Sequence, residues 1–273
     1  MWPFLQTETE HVAVRAELLD ARSGVALRTW APSEAVAYAA GVGATPEEGP
    51  PATLVTLLAQ FGVEFPAGLG PWAFARVLHA EQSHTTYAPV PLRGRLSIRT
   101  RVSDLRDLPS GVIVAISAEA VDGDDGTLVA STRMGLFVRG EHCGIVGASG
   151  PVELPERPAD QTVVHHTRAD QAERYARCGD DNPLHLDDSA ARASGQPRPV
   201  LHGLCTYGFA GRALVSVLCP GRPEQLAAMS ARFTATVLPG DTLRTDVWRS
   251  ADGAVFRTST ARGPAVTGTA RLR

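Results

Sequence analysis

Lysine is absent from this chain of 273 residues, so all 26 of its basic residues are arginines. A Schiff base, a pyridoxal phosphate anchor and a phosphate-binding P-loop all require a lysine amine, and the sequence therefore excludes these three kinds of chemistry. An excess of positive charge is missing as well, because the formal net charge is -3. We expect neither nucleic acid nor a membrane as a partner, since the chain offers no general electrostatic attraction to either.

Cysteine and long apolar runs are also scarce. No stretch reaches the roughly 18 uncharged apolar residues of a membrane helix, and the N-terminus lacks the basic segment and apolar run of a signal peptide. The four cysteines are far apart and show no C-x-x-C spacing, which predicts reduced, mostly buried thiols at Cys143, Cys178, Cys205 and Cys219. These absences predict a cytoplasmic protein.

The length is comfortable for two compact units. The stretch from Gly140 to Pro158 holds four glycines and three prolines with little apolar pattern, which is typical of a linker. We place the linker at about 146–158, between an N-terminal unit at 1–145 and a C-terminal unit at 159–273.

The N-terminal unit has one short helix and much strand pattern. The segment from Ala31 to Ala44 predicts a helix of two or three turns, capped by Ser33 and ended by Gly41 and Gly43. The apolar run from 52 to 60 fits a helix or a strand. From residue 73 onward, β-branched and alternating runs predict an antiparallel sheet with strands at 74–80, 96–105, 112–121 and 128–138.

The C-terminal unit repeats this plan around a longer helix. A first strand is predicted at 162–167, and Asp170 starts a short helix that stops at Gly179. The segment from Gly203 to Leu218 is apolar almost all the way round, which predicts a buried central helix about 24 Å long. Gly208 and Gly211 would let a sheet wrap this helix closely. Four further strands are predicted at 229–237, 243–248, 254–260 and 265–272.

One segment between these helices carries candidate chemistry, and it reads Y-A-R-C-G-D-D-N-P-L-H-L-D from residue 175 to residue 187. On an unbroken helix, Asp180 and His185 would point about 140° apart at roughly 100° per residue. Pro183 forbids such a helix and pushes Asn182 toward extended backbone angles. We therefore predict a tight turn that brings the carboxylate and the imidazole to one point, where they can move protons to and from a bound water.

The sequence resembles the MaoC-type, double hot-dog family of (R)-specific enoyl-CoA hydratases, also called hydratase 2. The signature Y-x-x-x-G-D-x-N-P-L-H-x-D is matched from residue 175 to residue 187, and P-x-L-H-G-L from residue 199 to residue 204. Weaker similarities occur in family order at 38–44 (Y-A-A-G-V-G-A), 78–82 (L-H-A-E-Q) and 232–242 (R-F-x-x-x-V-x-P-G-D-T). The resemblance implies an α+β double hot-dog fold, in which two curved antiparallel sheets each wrap a helix and form a pseudo-dimer within one chain.

The resemblance also implies a reaction and its residues. Asp180 and His185 would hold a water that adds to a trans-2-enoyl thioester, or is removed from a (3R)-3-hydroxyacyl thioester. Asn182 would help to position the reacting groups, and the backbone N–H of Gly203 would stabilise the thioester oxygen. The substrate contacts would fall on His79, Ala80 and Phe233, and neither a metal nor a cofactor is required. The N-terminal unit carries no D-x-N-P-x-H, so we expect one active site per chain and a shortened helix that makes room for the acyl chain.

The sequence leaves several alternatives open. Where family members often carry a lysine that can meet the CoA phosphates, this chain reads D-L-P-S-G at 107–111. An arginine such as Arg93, Arg192 or Arg198 would substitute, or the acyl group would arrive on a carrier protein instead of CoA. A hot-dog thioesterase and a non-catalytic acyl-binding partner are the alternative functions. Both a monomer and a homodimer are compatible with the sequence.

Overall fold

The computed structural model of the protein describes residues 5–6, 12–45, 48–60, 63–70, 72–147, 150 and 152–273. The helices are α1 (Pro32–Gly41), α2 (Leu54–Leu58), α3 (Gln171–Ala176), α4 (Asp188–Ala193) and α5 (Gly203–Leu218). The strands are β1 (Leu5–Gln6), β2 (Arg22–Trp30), β3 (Trp72–Ala73), β4 (Val77–Thr86), β5 (Gly94–Leu108), β6 (Gly111–Asp122), β7 (Leu128–Arg139), β8 (Gln161–His166), β9 (Leu226–Phe233), β10 (Thr242–Arg249), β11 (Gly253–Thr260) and β12 (Gly263–Leu272).

Ten of these strands form one antiparallel sheet in the order β2-β5-β6-β7-β4-β9-β12-β11-β10-β8. Five neighbouring strands come from the first half of the chain and the other five from the second half. The two sets join where β4 pairs with β9, from Glu81 opposite Arg232 to Thr85 opposite Ala228. The double hot-dog fold is confirmed, and the two predicted sheets are continuous across this junction. The predicted linker, part of which lies outside the described residues, stays a prediction.

The central helix α5 has the predicted bounds. Twelve of its sixteen residues are buried, as the nearly uninterrupted apolar pattern requires. The prediction that both glycines face a sheet is wrong for Gly208, which faces the first half, whereas Gly211 faces both the first half and Met229 of β9. A Cβ on Gly208 would collide with the side chain of Val42, and one on Gly211 would lie 2.7 Å from Cγ2 of Thr53. The two glycines therefore allow α5 to contact the first half directly.

The first half holds two short helices in place of one central helix. Helix α1 ends at Gly41 as predicted, but the predicted Ser33 cap is wrong. The helix begins at Pro32, Ala31 is the N-cap residue, and Oε1 of Glu34 accepts a hydrogen bond from the N–H of Ala31 at 3.2 Å. The segment from 52 to 60, which periodicity left undecided, contains helix α2, and every residue of α2 is buried.

All four cysteines are free, with Cys205 and Cys219 buried and the other two half-buried. A search of the described part of the chain finds no helix that is both long enough and apolar enough to span a membrane.

Candidate active site

The turn between α3 and α4 is built by three residues of the signature. Gly179 has a φ of +104°, a backbone conformation that favours glycine, and it ends the segment that follows α3. Asn182 then begins a short 3-10 turn over Pro183–His185, with its Oδ1 accepting a hydrogen bond from the N–H of Leu184 at 3.1 Å. The chain therefore reverses between Asp180 and His185, as the proline predicted.

Asp180 is a buried carboxyl group at this turn. The residue is 8% exposed, and burial raises the pKa of its carboxyl group from the ordinary 3.8 to about 6. The backbone N–H of Asn182 hydrogen-bonds to the carboxylate and opposes this rise. At neutral pH Asp180 is therefore mostly ionised, yet it can take up a proton more readily than an exposed aspartate.

His185 is held in one orientation and one tautomer. Its Nδ1–H donates to the carbonyl oxygen of Val200 at 2.8 Å, which leaves Nε2 as the acceptor. Burial lowers the pKa of the imidazole to about 4, although the hydrogen bond to Val200 opposes this shift. His185 is therefore neutral at physiological pH, with an available lone pair on Nε2.

The N-terminus of α5 lies beside this pair. His202 is the N-cap residue, and its Nε2–H donates to the backbone carbonyl oxygen of Asp180 at 3.0 Å. Gly203 is the first residue of the helix, so its N–H has no partner within the helix and lies at the positive end of the helix dipole. A Cβ on Gly203 would lie 3.5 Å from the ring of Phe233, an ordinary contact distance, so packing does not require a glycine there.

All seven predicted site residues line one cleft of about 560 Å³ between the two halves. Asp180, Asn182, His185, Gly203 and Phe233 come from the second half, and His79 and Ala80 come from β4 in the first. The remaining lining is largely apolar and includes Val77, Ile113, Phe137, Leu184, Val200, Leu201, Leu204, Val237 and Val266. A cleft of this kind suits an acyl group with a polar reacting centre.

The residues from β4 are fixed by a local irregularity. The register of β4 against β7 shifts between His79 and Glu81, which leaves Ala80 without a paired position. Nε2 of His79 lies 3.0 Å from the carbonyl oxygen of Glu81 and 3.1 Å from Oε1 of Gln82, and the His79 ring packs edge-on against Phe233 with 5.1 Å between ring centres. Burial lowers the pKa of His79 to about 4, so this histidine is also neutral.

Sequence reasoning missed a charged cluster at the edge of the cleft. Glu81 lines the cleft and forms ion pairs of 2.8 Å with both Arg106 and Arg133, while Nε of Arg232 lies 3.8 Å from it. Burial opposes ionisation of Glu81, but the three arginines hold the pKa of its carboxyl group below the ordinary value. Glu81 directly follows the bulge in β4, and no spacing in the sequence indicated this cluster of charges.

Arg93, Arg192 and Arg198, the arginines expected to meet a phosphate, are not among the residues that line the cleft. Of the arginines that the structure describes, Arg232 alone lines it, and its charge is shared with Glu81. Within the same described ranges, no group of three or more histidine, cysteine, aspartate or glutamate side chains is arranged to hold a metal ion.

Comparison with known proteins gives two family matches in tandem. A family model described as "MaoC like domain" matches residues 151–269, and one described as "MFE-2 hydratase 2 N-terminal domain" matches residues 53–140. The chain is 40% identical to 3-hydroxyacyl-thioester dehydratase Y of Mycobacterium tuberculosis, over 85% of this chain and 87% of that protein. It is 32% identical to the peroxisomal enoyl-CoA hydratase 2 of Arabidopsis thaliana, over 67% of this chain and 63% of that protein.

A solved structure agrees with these matches. The MaoC-like dehydratase from Phytophthora capsici superposes with a TM-score of 0.86 at 25% identity, covering 95% of this chain and 98% of that one. The fold, the tandem family matches and the extent of the identity to the mycobacterial dehydratase all agree. The chain therefore belongs to the MaoC-like dehydratase family of hydro-lyases.

Proposed function

We propose that this protein adds water to trans-2-enoyl thioesters and, in the reverse direction, dehydrates (3R)-3-hydroxyacyl thioesters. The observation that carries the proposal is the pairing, in one cleft, of a buried carboxyl group whose pKa is about 6 with a neutral imidazole whose Nε2 is an acceptor. The names of the mycobacterial and plant relatives support the same reaction class.

Asp180 and His185 each accept a hydrogen bond from the water in this proposal. Nε2 of His185 accepts a hydrogen bond from one O–H of the water, because Nδ1–H already donates to Val200. The Asp180 carboxylate accepts the other O–H and takes up its proton, since its raised pKa makes it the better base of the two at neutral pH. Asn182 positions the pair by holding the turn through its bond to Leu184.

Hydration needs no proton donor or acceptor other than Asp180. The water oxygen bonds to Cβ of the enoyl group as one O–H bond breaks and its proton passes to Asp180. The electron pair of the C=C bond moves toward Cα, and negative charge develops on the thioester oxygen. The proton on Asp180 then passes to Cα, which returns the carboxylate to its starting state. Dehydration follows the same steps in reverse.

The N–H of Gly203 stabilises the charge on the thioester oxygen. It lies at the positive end of α5, and a preorganised backbone donor of this kind is worth about 10² to 10³ in rate in well-studied enzymes. The lack of a side chain on Gly203 lets the thioester approach the backbone. A Cβ at this position would lie 3.5 Å from Phe233, so packing does not require the glycine, which supports its role toward the substrate.

The substrate is held from both halves of the molecule. Phe233 and the apolar walls contact the acyl group, and His79 and Ala80 border the thioester from β4. The thioester handle is CoA or a carrier protein, and Arg232 beside Glu81 is the cation nearest to it among the described lining residues. The cytoplasm, predicted from the cysteines, is the proposed location.

The test uses a short and a longer trans-2-enoyl-CoA, with the same acyl groups on a carrier protein as a second series. We expect loss of the absorbance of the conjugated enoyl thioester without release of free thiol, and a (3R) product on chiral analysis. The Asp180→Asn protein is the control and should be slower than the wild type by about 10² to 10⁴.

The same measurement separates the alternatives. Thiol release would identify a thioesterase and contradict the proposal. No change in either signal, with both handles, would contradict catalysis on these thioesters and support an acyl-binding role.

A further inference from the structure

Four rings form a column behind the cleft, from the first half of the chain to His185. Tyr38 of α1 lies edge-on to Tyr175 of α3 with ring centres 6.1 Å apart, and Tyr175 lies 4.8 Å from His202. His202 in turn stacks on His185, with 3.8 Å between ring centres and 31° between planes. The hydroxyl of Tyr38 donates to Thr53 at 2.8 Å, which anchors the far end of the column.

His202 is the ring of this column that touches both members of the proposed acid–base pair. Its face covers the ring of His185, and its Nε2–H donates to the backbone carbonyl oxygen of Asp180 at 3.0 Å. Its own backbone starts α5, one residue before Gly203. His202, which is 1% exposed, therefore contacts His185 and Asp180 and directly precedes Gly203.

Simple packing does not account for a histidine here. Its Nδ1 is buried without a hydrogen-bond partner in the part of the chain that the structure describes, and an unpaired buried acceptor is costly. A phenyl ring would fill the space between Tyr175 and His185 without that cost, but it would have no N–H to donate to Asp180. The hydrogen bond to the carbonyl oxygen is what the imidazole adds.

We propose that His202 is a positioning residue that sets the placement of Asp180 relative to His185, braced from the first half by Tyr175 and Tyr38. The inference rests on the proposed hydratase function for its effect on rate. Proton transfer through a shared water depends steeply on geometry, and a displacement of about 1 Å can lower a rate by about 100-fold. Contact with substrate is not part of this role, so binding should be spared.

Two substitutions separate the ring from the hydrogen bond. His202→Gln keeps an N–H at similar reach and removes the ring, whereas His202→Phe keeps a ring and removes the donor. Each should lower kcat by about ten- to a hundredfold and leave KM within about threefold, because geometry and not affinity is lost. His84→Gln is the matched control: His84 is also buried and contacts α5 through Tyr207 at 2.8 Å, but it does not touch the turn. It should leave kcat unchanged.

A second measurement does not depend on activity. In protein labelled with ¹⁵N-histidine, the His185 Nδ1–H that donates to Val200 should give a slowly exchanging NMR signal. We expect this signal to broaden or vanish in both His202 variants and to persist in His84→Gln.

The two measurements decide between the two proposals. An inactive wild-type protein in which the His185 signal still depends on His202 would contradict the hydratase function and leave the positioning role standing. In an active protein, an unchanged kcat or an unchanged His185 signal in the His202 variants overturns the positioning role.

Discussion

The two halves of the molecule share a sheet but not a helix. Each contributes five neighbouring strands to the ten-stranded sheet. The second half wraps its strands around the sixteen-residue helix α5, while the first half offers α1 and α2, of ten and five residues. The D-x-N-P-x-H turn occurs only in the second half. One half therefore carries the proposed chemistry, and the other supports it and forms the opposite wall of the cleft.

The contacts between the halves fit this division. Helix α5 begins at the cleft with Gly203 and meets the first half farther along, at Gly208 and Gly211. The first half returns the contact through β4, which supplies His79 and Ala80.

The largest effect is expected from removing the acid–base pair of the second half. Asp180→Ala or His185→Ala should each lower kcat by about 10² to 10⁴, the usual range for a positioned acid or base. Asp187→Ala is the local control, because Asp187 is exposed and caps α4 through the N–H of Ala190 at 2.8 Å. Steady-state kinetics on an enoyl thioester gives the ratio. Full activity in either of the first two variants would contradict the acid–base role proposed for Asp180 and His185.

The carboxyl group of Asp180 should also have a smaller effect, on the stability of the folded protein. The pKa of Asp180 is raised in the folded protein from 3.8 to about 6, so the wild type loses stability as the pH rises through this window and does not regain it above. Asp180→Asn avoids the loss. Its free energy of unfolding should exceed that of the wild type by up to about 3 kcal/mol at pH 8 and by almost nothing below pH 3.8.

Urea titrations at the two pH values measure this difference. Asp252→Asn, which changes an exposed carboxylate outside the cleft, is the control. An Asp180→Asn protein that is no more stable than the wild type at pH 8 would show that burial of this carboxylate does not lower the free energy of unfolding.

The contact between the halves predicts a third effect, which spares the chemistry. Gly208→Ala places a Cβ against Val42, and overpacking of this kind costs about 1–3 kcal/mol of unfolding free energy. Gly126→Ala in a surface turn is no match because its φ is positive, so Gly150→Ala is the control, since a Cβ there meets no atom of the described residues within 4 Å. Thermal unfolding compares the two. Stability unchanged by Gly208→Ala would mean that α5 is not tightly packed on the first half.

The smallest effect is expected from a glycine on the same helix. Gly203→Ala adds a Cβ in ordinary contact with Phe233, so stability should be kept while kcat/KM falls by about tenfold as the thioester is crowded away from the backbone N–H. Gly203→Ala and Gly208→Ala should thus have opposite signatures, one on activity and one on stability. An active Gly203→Ala protein would place the thioester elsewhere in the cleft.

Much of the second half could be predicted because its signals are local. The apolar run fixed both ends of α5, and Pro183 with Gly179 indicated the turn. The seven site residues, taken from local motifs and their family resemblance, line one cleft. Most strands from β5 onward were located to within a few residues, since alternation is read directly from neighbouring positions. The strand predicted at 74–80 was misplaced, because β4 runs from Val77 to Thr86, and no bounds were predicted for β2.

What escaped prediction depends on contacts between distant parts of the chain. The pairing of β4 with β9 joins residues about 150 positions apart, and no local pattern encodes it. The stacking of His202 on His185 and the cluster around Glu81 also arise only after folding. Helix α4 was missed because six residues capped by Asp187 are too few to show a period.

The junction of β4 with β9 also governs how molecules reach the reaction centre. Main-chain bonds cross the boundary between the halves, so the halves cannot swing apart like jaws without breaking part of the ladder. Pro109 and Ser110, in the hairpin between β5 and β6, line the cleft and are exposed, so the proposed substrate would enter beside them without separation of the halves.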